Sequence, residues 1–128
     1  MDIVTKQQLN ILIQLAEVDK HFAAAERDMI FKIAQERNFP ESEVLELIRK
    51  PQPIDSLGAL SLDQKFEYLM SCIQLVFVDD NIFESEILFC KSIAIKLGFK
   101  KDVIDYFMQN FRKKTTQEFK QAALKQLV

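Results

Sequence analysis

The chain predicts an all-α domain of about seven helices, a compact bundle made of two pseudo-symmetric helical repeats. Three observations carry that prediction. Gly 2 and Pro 3 leave few turn formers, which favours long helices over a turn-rich β fold. Apolar residues recur at three- and four-residue spacing in successive segments. The segment Leu15 to Ile48 also lies on Leu75 to Met108 without a gap, and seven of the aligned pairs are identical. Those pairs are Leu15/Leu75, Val18/Val78, Asp19/Asp79, Glu26/Glu86, Ile33/Ile93, Ala34/Ala94 and Phe39/Phe99. Unrelated helices of this composition would share about two.

The elements follow in order. Thr5 with Gln8 reads as a capping box opening a helix to about Val18, with Leu9, Leu12, Ile13 and Ala16 on one face. After a break at Asp19–Phe22, a second helix runs from about Ala24 to Arg37. Phe39-Pro40 stops it, because the residue before proline is pushed out of the α region. Pro40 then suits the first turn of a short acidic helix through Val44, Leu47 and Ile48. The stretch Pro51 to Gly58 is a loop between the copies.

Ser61 with Gln64 is a second capping box, opening a helix through Phe66, Leu69, Met70 and Ile73. After the break at Asp79–Ile82, a helix runs to Leu97 and closes on Gly98 in the left-handed C′ position. A helix from about Lys101 to Phe111 follows. Thr115 with Glu118 opens a final amphipathic helix, residues 115–127, with Phe119, Ala122, Ala123 and Leu127 inward. The whole chain, residues 1–128, reads as one domain with repeats at about 5–50 and 61–111.

Composition narrows the function classes. At 48% hydrophobic and 28% charged, the chain belongs with globular proteins. No apolar run approaches the ~20 residues that cross a bilayer, and the first residues lack a signal pattern. Cys72 and Cys90 show no CxxC spacing and read as buried, inert thiols in a reduced, cytoplasmic chain. Charge is uneven: residues 1–90 carry 8 basic and 16 acidic side chains, residues 91–128 carry 9 and 3. That asymmetry allows an electrostatic homo-oligomer. The basic segment Phe111-Arg112-Lys113-Lys114 lacks the interleaved aromatics of single-strand binders, so nucleic acid is not expected as a partner.

Two segments draw the functional question: Asp19-Lys-His-Phe22-Ala-Ala-Ala-Glu26 and Asp79-Asp-Asn-Ile82-Phe-Glu-Ser-Glu86. Each has an Asp ending an apolar helix, an apolar residue three later, and a Glu seven later that opens the next helix. The pattern resembles the TerB-like superfamily, which includes tellurite-resistance TerB and the N-terminal region of the co-chaperone DjlA. The resemblance covers about residues 5–125. It implies an all-helical domain of this length, a stress or metal-resistance setting, and suspected metal binding by the shared acids. This chain departs from the family in having Lys20 and Asp80 where a Gly follows the Asp. It also has Ala23 and Phe83 where a capping Ser is common. Lys20 must then tolerate positive φ at some cost, and neither Ala23 nor Phe83 can supply a side-chain cap.

The acids admit two roles. An Asp at a helix C-terminus opposes the dipole, so its carboxylate can be there to accept amides and lock the bend. Alternatively Asp19, Glu26, Asp79 and Glu86 bind a divalent cation, with Asp80, Asn81, Glu84 and His21 as further ligands. An EF-hand fails, because Glu84 and Cys90 stand where Gly and Glu are needed. A di-iron bundle fails on its histidines, of which there is one. No nucleophile elbow or phosphate loop is present. The expectation is a non-enzymatic binding or adaptor module with a protein partner. The alternatives are a metal-dependent enzyme on the same carboxylates and a structural homo-oligomer.

Overall fold

A computed structural model describes residues 2–20, 22–78 and 82–127. Among these residues the fold is all-α: α1 (Ile3–Glu17), α2 (Ala24–Glu36), α3 (Glu41–Arg49), α4 (Leu62–Val76), α5 (Glu84–Leu97), α6 (Asp102–Asn110) and α7 (Thr116–Leu124). The first three helices are followed, in order and closely in length, by the next three. Their starts pair at nearly constant separation: Ile3 with Leu62, Ala24 with Glu84, and Glu41 with Asp102. α1 packs on α2, α3, α4 and α5, and α4 packs on α5 and α6. The two long helices α1 and α4 therefore form the centre. Leu9, Leu12, Ile13, Leu15, Leu69 and Ile73 are each fully buried between them and their neighbours.

The capping boxes at Ser61/Gln64 and Thr115/Glu118 form as expected. Ser61 Oγ accepts from Gln64 N at 3.1 Å, and Thr115 Oγ1 accepts from Glu118 N at 3.1 Å. The first box does not. α1 begins earlier, at Ile3, capped by Asp2, whose carboxylate accepts from Val4 N at 3.0 Å. Thr5 lies inside the helix, and its hydroxyl donates to Asp2 Oδ2 at 2.6 Å. An ionised carboxylate is the stronger acceptor, so it takes the cap and the threonine supports it.

α2 and α5 end alike. Asn38 (φ 55) and Gly98 (φ 93) both take the left-handed C′ conformation. Phe39 N donates to Ala34 O at 2.8 Å, as Phe99 N does to Ala94 O at 2.9 Å. These are Schellman closures, and the following phenylalanine is buried in each. Pro40 sits just outside α3 as its extended N-cap residue.

The segment between α3 and α4 is pinned to α1. Asn10 Nδ2 donates to Gln52 O and Gln52 N donates to Asn10 Oδ1, both at 2.9 Å. Tyr68 ties α4 to the start of α1 by donating its hydroxyl to Val4 O, and burial pushes its phenol well above the ordinary tyrosine range.

The chain end departs from expectation. α7 stops at Leu124 instead of running to 127. Lys100 N donates to Gln126 O at 2.6 Å, and Leu127 pairs with Phe99 in an isolated antiparallel bridge. Leu127 is consequently exposed and not on an inward helical face. The start of the α5–α6 connection thus pairs with residues 126–127 in place of one further helical turn. α7 itself closes an aromatic cluster. Phe107 lies 4.8 Å from Phe119 and 6.4 Å from Phe66, ring centre to ring centre.

Candidate functional site

α1 ends at Glu17, and Lys20 N still donates to Glu17 O at 2.9 Å as the chain turns. Lys20 adopts φ 64, the left-handed conformation that its place after Asp19 requires. Asp19 is half-buried in this turn. The backbone then extends through Ala23 (φ −65, ψ 151), the N-cap of α2. Ala23 has no side-chain acceptor, and Glu26 supplies one. It sits three residues inside the helix and accepts from Ala23 N at 3.3 Å.

The second turn repeats this arrangement where it is described. Phe83 is the extended N-cap of α5, and Glu86 accepts from Phe83 N at 3.0 Å. Both carboxylates are buried, Glu26 at 2% and Glu86 at 3% relative exposure. Glutamate is rarely so buried without compensation. Here part of it comes from the cap amide and from the positive end of the helix dipole. Each Glu thus performs half of a capping box whose other half, a Ser or Thr hydroxyl, the chain lacks.

The expected ligand set is not assembled as a cluster among the described residues. No group of three or more His, Cys, Asp or Glu side chains there is arranged to hold a metal ion. Glu84 is exposed at the start of α5. Asp79, Asp80, Asn81 and His21 lie outside the described residues.

Two arrangements escape a reading of the sequence. Cys72 on α4 and Cys90 on α5 are both buried, free, and close enough to interact. The neighbouring Cys72 thiol and burial hold the Cys90 thiol well above its ordinary range, which disfavours the thiolate. The two are distant in sequence, and the packing of α4 on α5 makes them a pair.

The other is the outer face of α5. Leu88 is 58% exposed and Ile95 60%, and Ile82 and Phe83 are exposed just before the helix. Leu88 and Ile95 are two helical turns apart on one face. Helical periodicity flags an inward stripe, and α5 also buries Cys90, Ile93, Ala94 and Leu97. The only signal in the sequence is an excess of apolar residues for one buried face.

Several shallow clefts are also present, two of them between helices of the bundle. One, of about 410 Å³, lies beside α2 and α3 and is lined by Asp28, Phe31, Lys32, Gln35, Phe39 and Glu41 among others. The other, of about 300 Å³, is lined by Gln8, Ile33, Arg37, Phe66, Glu67 and Met70 among others, with Arg37 and Glu67 ion-paired. Neither includes Asp19, Glu26 or Glu86 in its lining.

Charge from the two parts of the chain is partly neutralised internally. Lys120 pairs with Asp63 at 2.5 Å. No described helix is long and apolar enough to cross a membrane. Comparison with known proteins finds no matching family profile, no matching curated protein and no matching solved structure.

Proposed function

We propose that this protein is a non-enzymatic helical binding module, an adaptor that recognises a protein partner through the outer face of α5. The two acidic turns set the angles between its helices. The observation that carries this reading is the exposure of Leu88 and Ile95 on one face. Exposed apolar clusters on a folded domain mark interaction surfaces, and their burial contributes about 25 cal/mol per Å². Asp19, Glu26 and Glu86 line neither of these two clefts, which favours recognition over the alternative of chemistry on paired carboxylates. The likeness to the TerB-like superfamily belongs to this proposal, as do a cytoplasmic setting and a role in stress or metal resistance. Its test is quantitative capture of protein partners by wild type and by the Leu88→Glu/Ile95→Glu double variant. A partner held by the first and lost by the second supports the face. Equal capture by both overturns it.

Burial of both Glu26 and Glu86 favours a second reading, in which the acidic turns hold a divalent cation. Thermal melting of metal-stripped protein with Ca²⁺, Mg²⁺, Mn²⁺ or Zn²⁺ separates cation from cap. If the carboxylate is a cap alone, Glu86→Gln keeps an acceptor for Phe83 N and melts close to wild type. Glu86→Ala then costs about 1–2 kcal/mol, and no ion changes either result. If a cation binds, one ion raises the wild-type midpoint by several degrees and leaves Glu86→Gln unmoved.

A further inference from the structure

The outer face of α5 carries more than two exposed apolar residues. Glu84 opens the helix and Lys96 lies in its last turn, so the face has a negative end and a positive end. Between them lie Leu88, Ser92 and Ile95, all exposed. We infer that α5 pairs with α5 of a second copy of this chain, antiparallel and about a two-fold axis. Leu88 and Ile95 of each copy interleave, and Glu84 of each meets the other copy's positive end at Lys96. The inference rests on the binding role proposed for this face and names its partner.

The register follows from helix geometry. At about 1.5 Å per residue, Glu84 and Lys96 lie equally far from residue 90, on opposite sides. A two-fold axis that passes between the two copies, level with residue 90, therefore brings the negative end of each helix level with the positive end of the other. The same axis alternates the apolar side chains of the two copies along the seam. An isologous interface requires this self-complementarity, with one end of a face matching the other in charge. Ser92, near the axis, is small and allows close approach. Its hydroxyl already donates to Phe89 O at 2.7 Å, so burying it strands no donor. Lys91, which also lies near the axis, is turned to Asp105 on α6 at 3.2 Å, and that pair offsets its charge.

The corresponding helix argues that the fold does not require an apolar face here. In the alignment of the two segments, Asp28, Lys32 and Gln35 of α2 occupy the positions of Leu88, Ser92 and Ile95, and all three are exposed. α2 is an outer helix with a polar face. Leu88 and Ile95 therefore serve something other than the packing of the monomer.

One 14-residue helix spans about 21 Å, so the pair buries less than the ~800 Å² per partner of a standard interface. A weak dimer is expected, with Kd on the order of 10–100 µM. Sedimentation of the full chain from about 5 µM to about 1 mM covers that range. The wild type should pass from monomer to dimer, and Leu88→Glu/Ile95→Glu should remain monomeric with unchanged helix content. Glu84→Lys and Lys96→Glu should each weaken the dimer several-fold, and the two together should restore it.

A dimer unaffected by the apolar double variant uses another surface and overturns the inference. So does failure of the charge exchange to restore pairing. A wild type that stays monomeric throughout overturns it too. If that monomer still captures a partner that the apolar variant loses, the binding reading of the face survives. If capture is equal, both readings fall together.

Discussion

The two turn-and-helix units solve the same backbone problem and present different surfaces. Both open a helix at an extended residue without a capping side chain, and both give the cap amide to a buried glutamate three residues on. Both close with a left-handed residue followed by a buried phenylalanine. Yet α2 shows Asp28, Lys32 and Gln35 to solvent where α5 shows Leu88, Ser92 and Ile95. What the units share is backbone closure, which any pair of helices joined this way must satisfy. What they do not share is surface, and surface is where a binding role resides.

Core chemistry differs between the units as well, and this gives the largest expected effect. Leu47 in α3 and Phe107 in α6 occupy aligned positions, but only Phe107 meets an aromatic cluster, because only the second unit has α7 against it. Phe107→Ala should cost about 3–5 kcal/mol, with Leu47→Ala toward the lower end of about 2–5 kcal/mol. Urea unfolding with an unchanged slope would measure both. An equal or larger loss at Leu47 would break the comparison and place the core's centre of gravity in the first unit.

Much of the fold was legible because local chemistry decides it. Ser61/Gln64, Thr115/Glu118 and Gly98 each act within one helical turn, and each does what its residue type favours. Apart from the local competition of Asp2 with Thr5, the departures have tertiary causes. Leu127 leaves α7 because Phe99, far back along the chain, is there to bridge it. Cys72 and Cys90 meet because α4 and α5 pack together. Thr5 was a fair cap candidate until Asp2, a stronger acceptor one turn before it, is weighed against it. The acidic turns were legible as helix starts, and Ala23 and Phe83 as deficient caps. That both glutamates would be nearly inaccessible was not, since burial depends on what packs over them.

The helix closures give the next smaller effect. Gly98 and Asn38 hold the same left-handed position with different side chains. A Cβ at Gly98 would meet nothing nearer than Lys65 Nζ at 3.9 Å, so a substitution there reports the backbone and not a clash. Gly98→Ala should destabilise by about 1 kcal/mol or somewhat more, and Gly98→Asn by less, because Asn tolerates this region. Asn38→Gly should lie within about 0.5 kcal/mol of wild type, the relief of strain offset by the freer unfolded chain. Thermal unfolding of the three variants checks the order. A Gly98→Ala variant as stable as wild type would show that the second closure is less constrained than the first.

The smallest effect concerns how the two central helices begin. α1 is capped by a carboxylate and α4 by the neutral pair Ser61/Gln64, so of the two caps only the first is itself titratable. The Thr5 hydroxyl, together with the Thr5 and Val4 backbone, holds the Asp2 carboxyl below its ordinary value of 3.8. A carboxyl depressed in the folded state stabilises it fully above the unfolded value, and that contribution is lost as pH falls through the lower folded value. Protection of the Val4 amide against hydrogen exchange should therefore decline below about pH 4, while protection of the Gln64 amide holds. Asp2→Asn keeps an acceptor for Val4 N and should flatten the decline without altering Gln64. If Val4 and Gln64 lose protection together, the titration lies elsewhere and acts on the whole domain. The buried Glu26 and Glu86 would then be the groups to substitute next, since each holds the cap amide of its helix and their loss weakens α2 and α5.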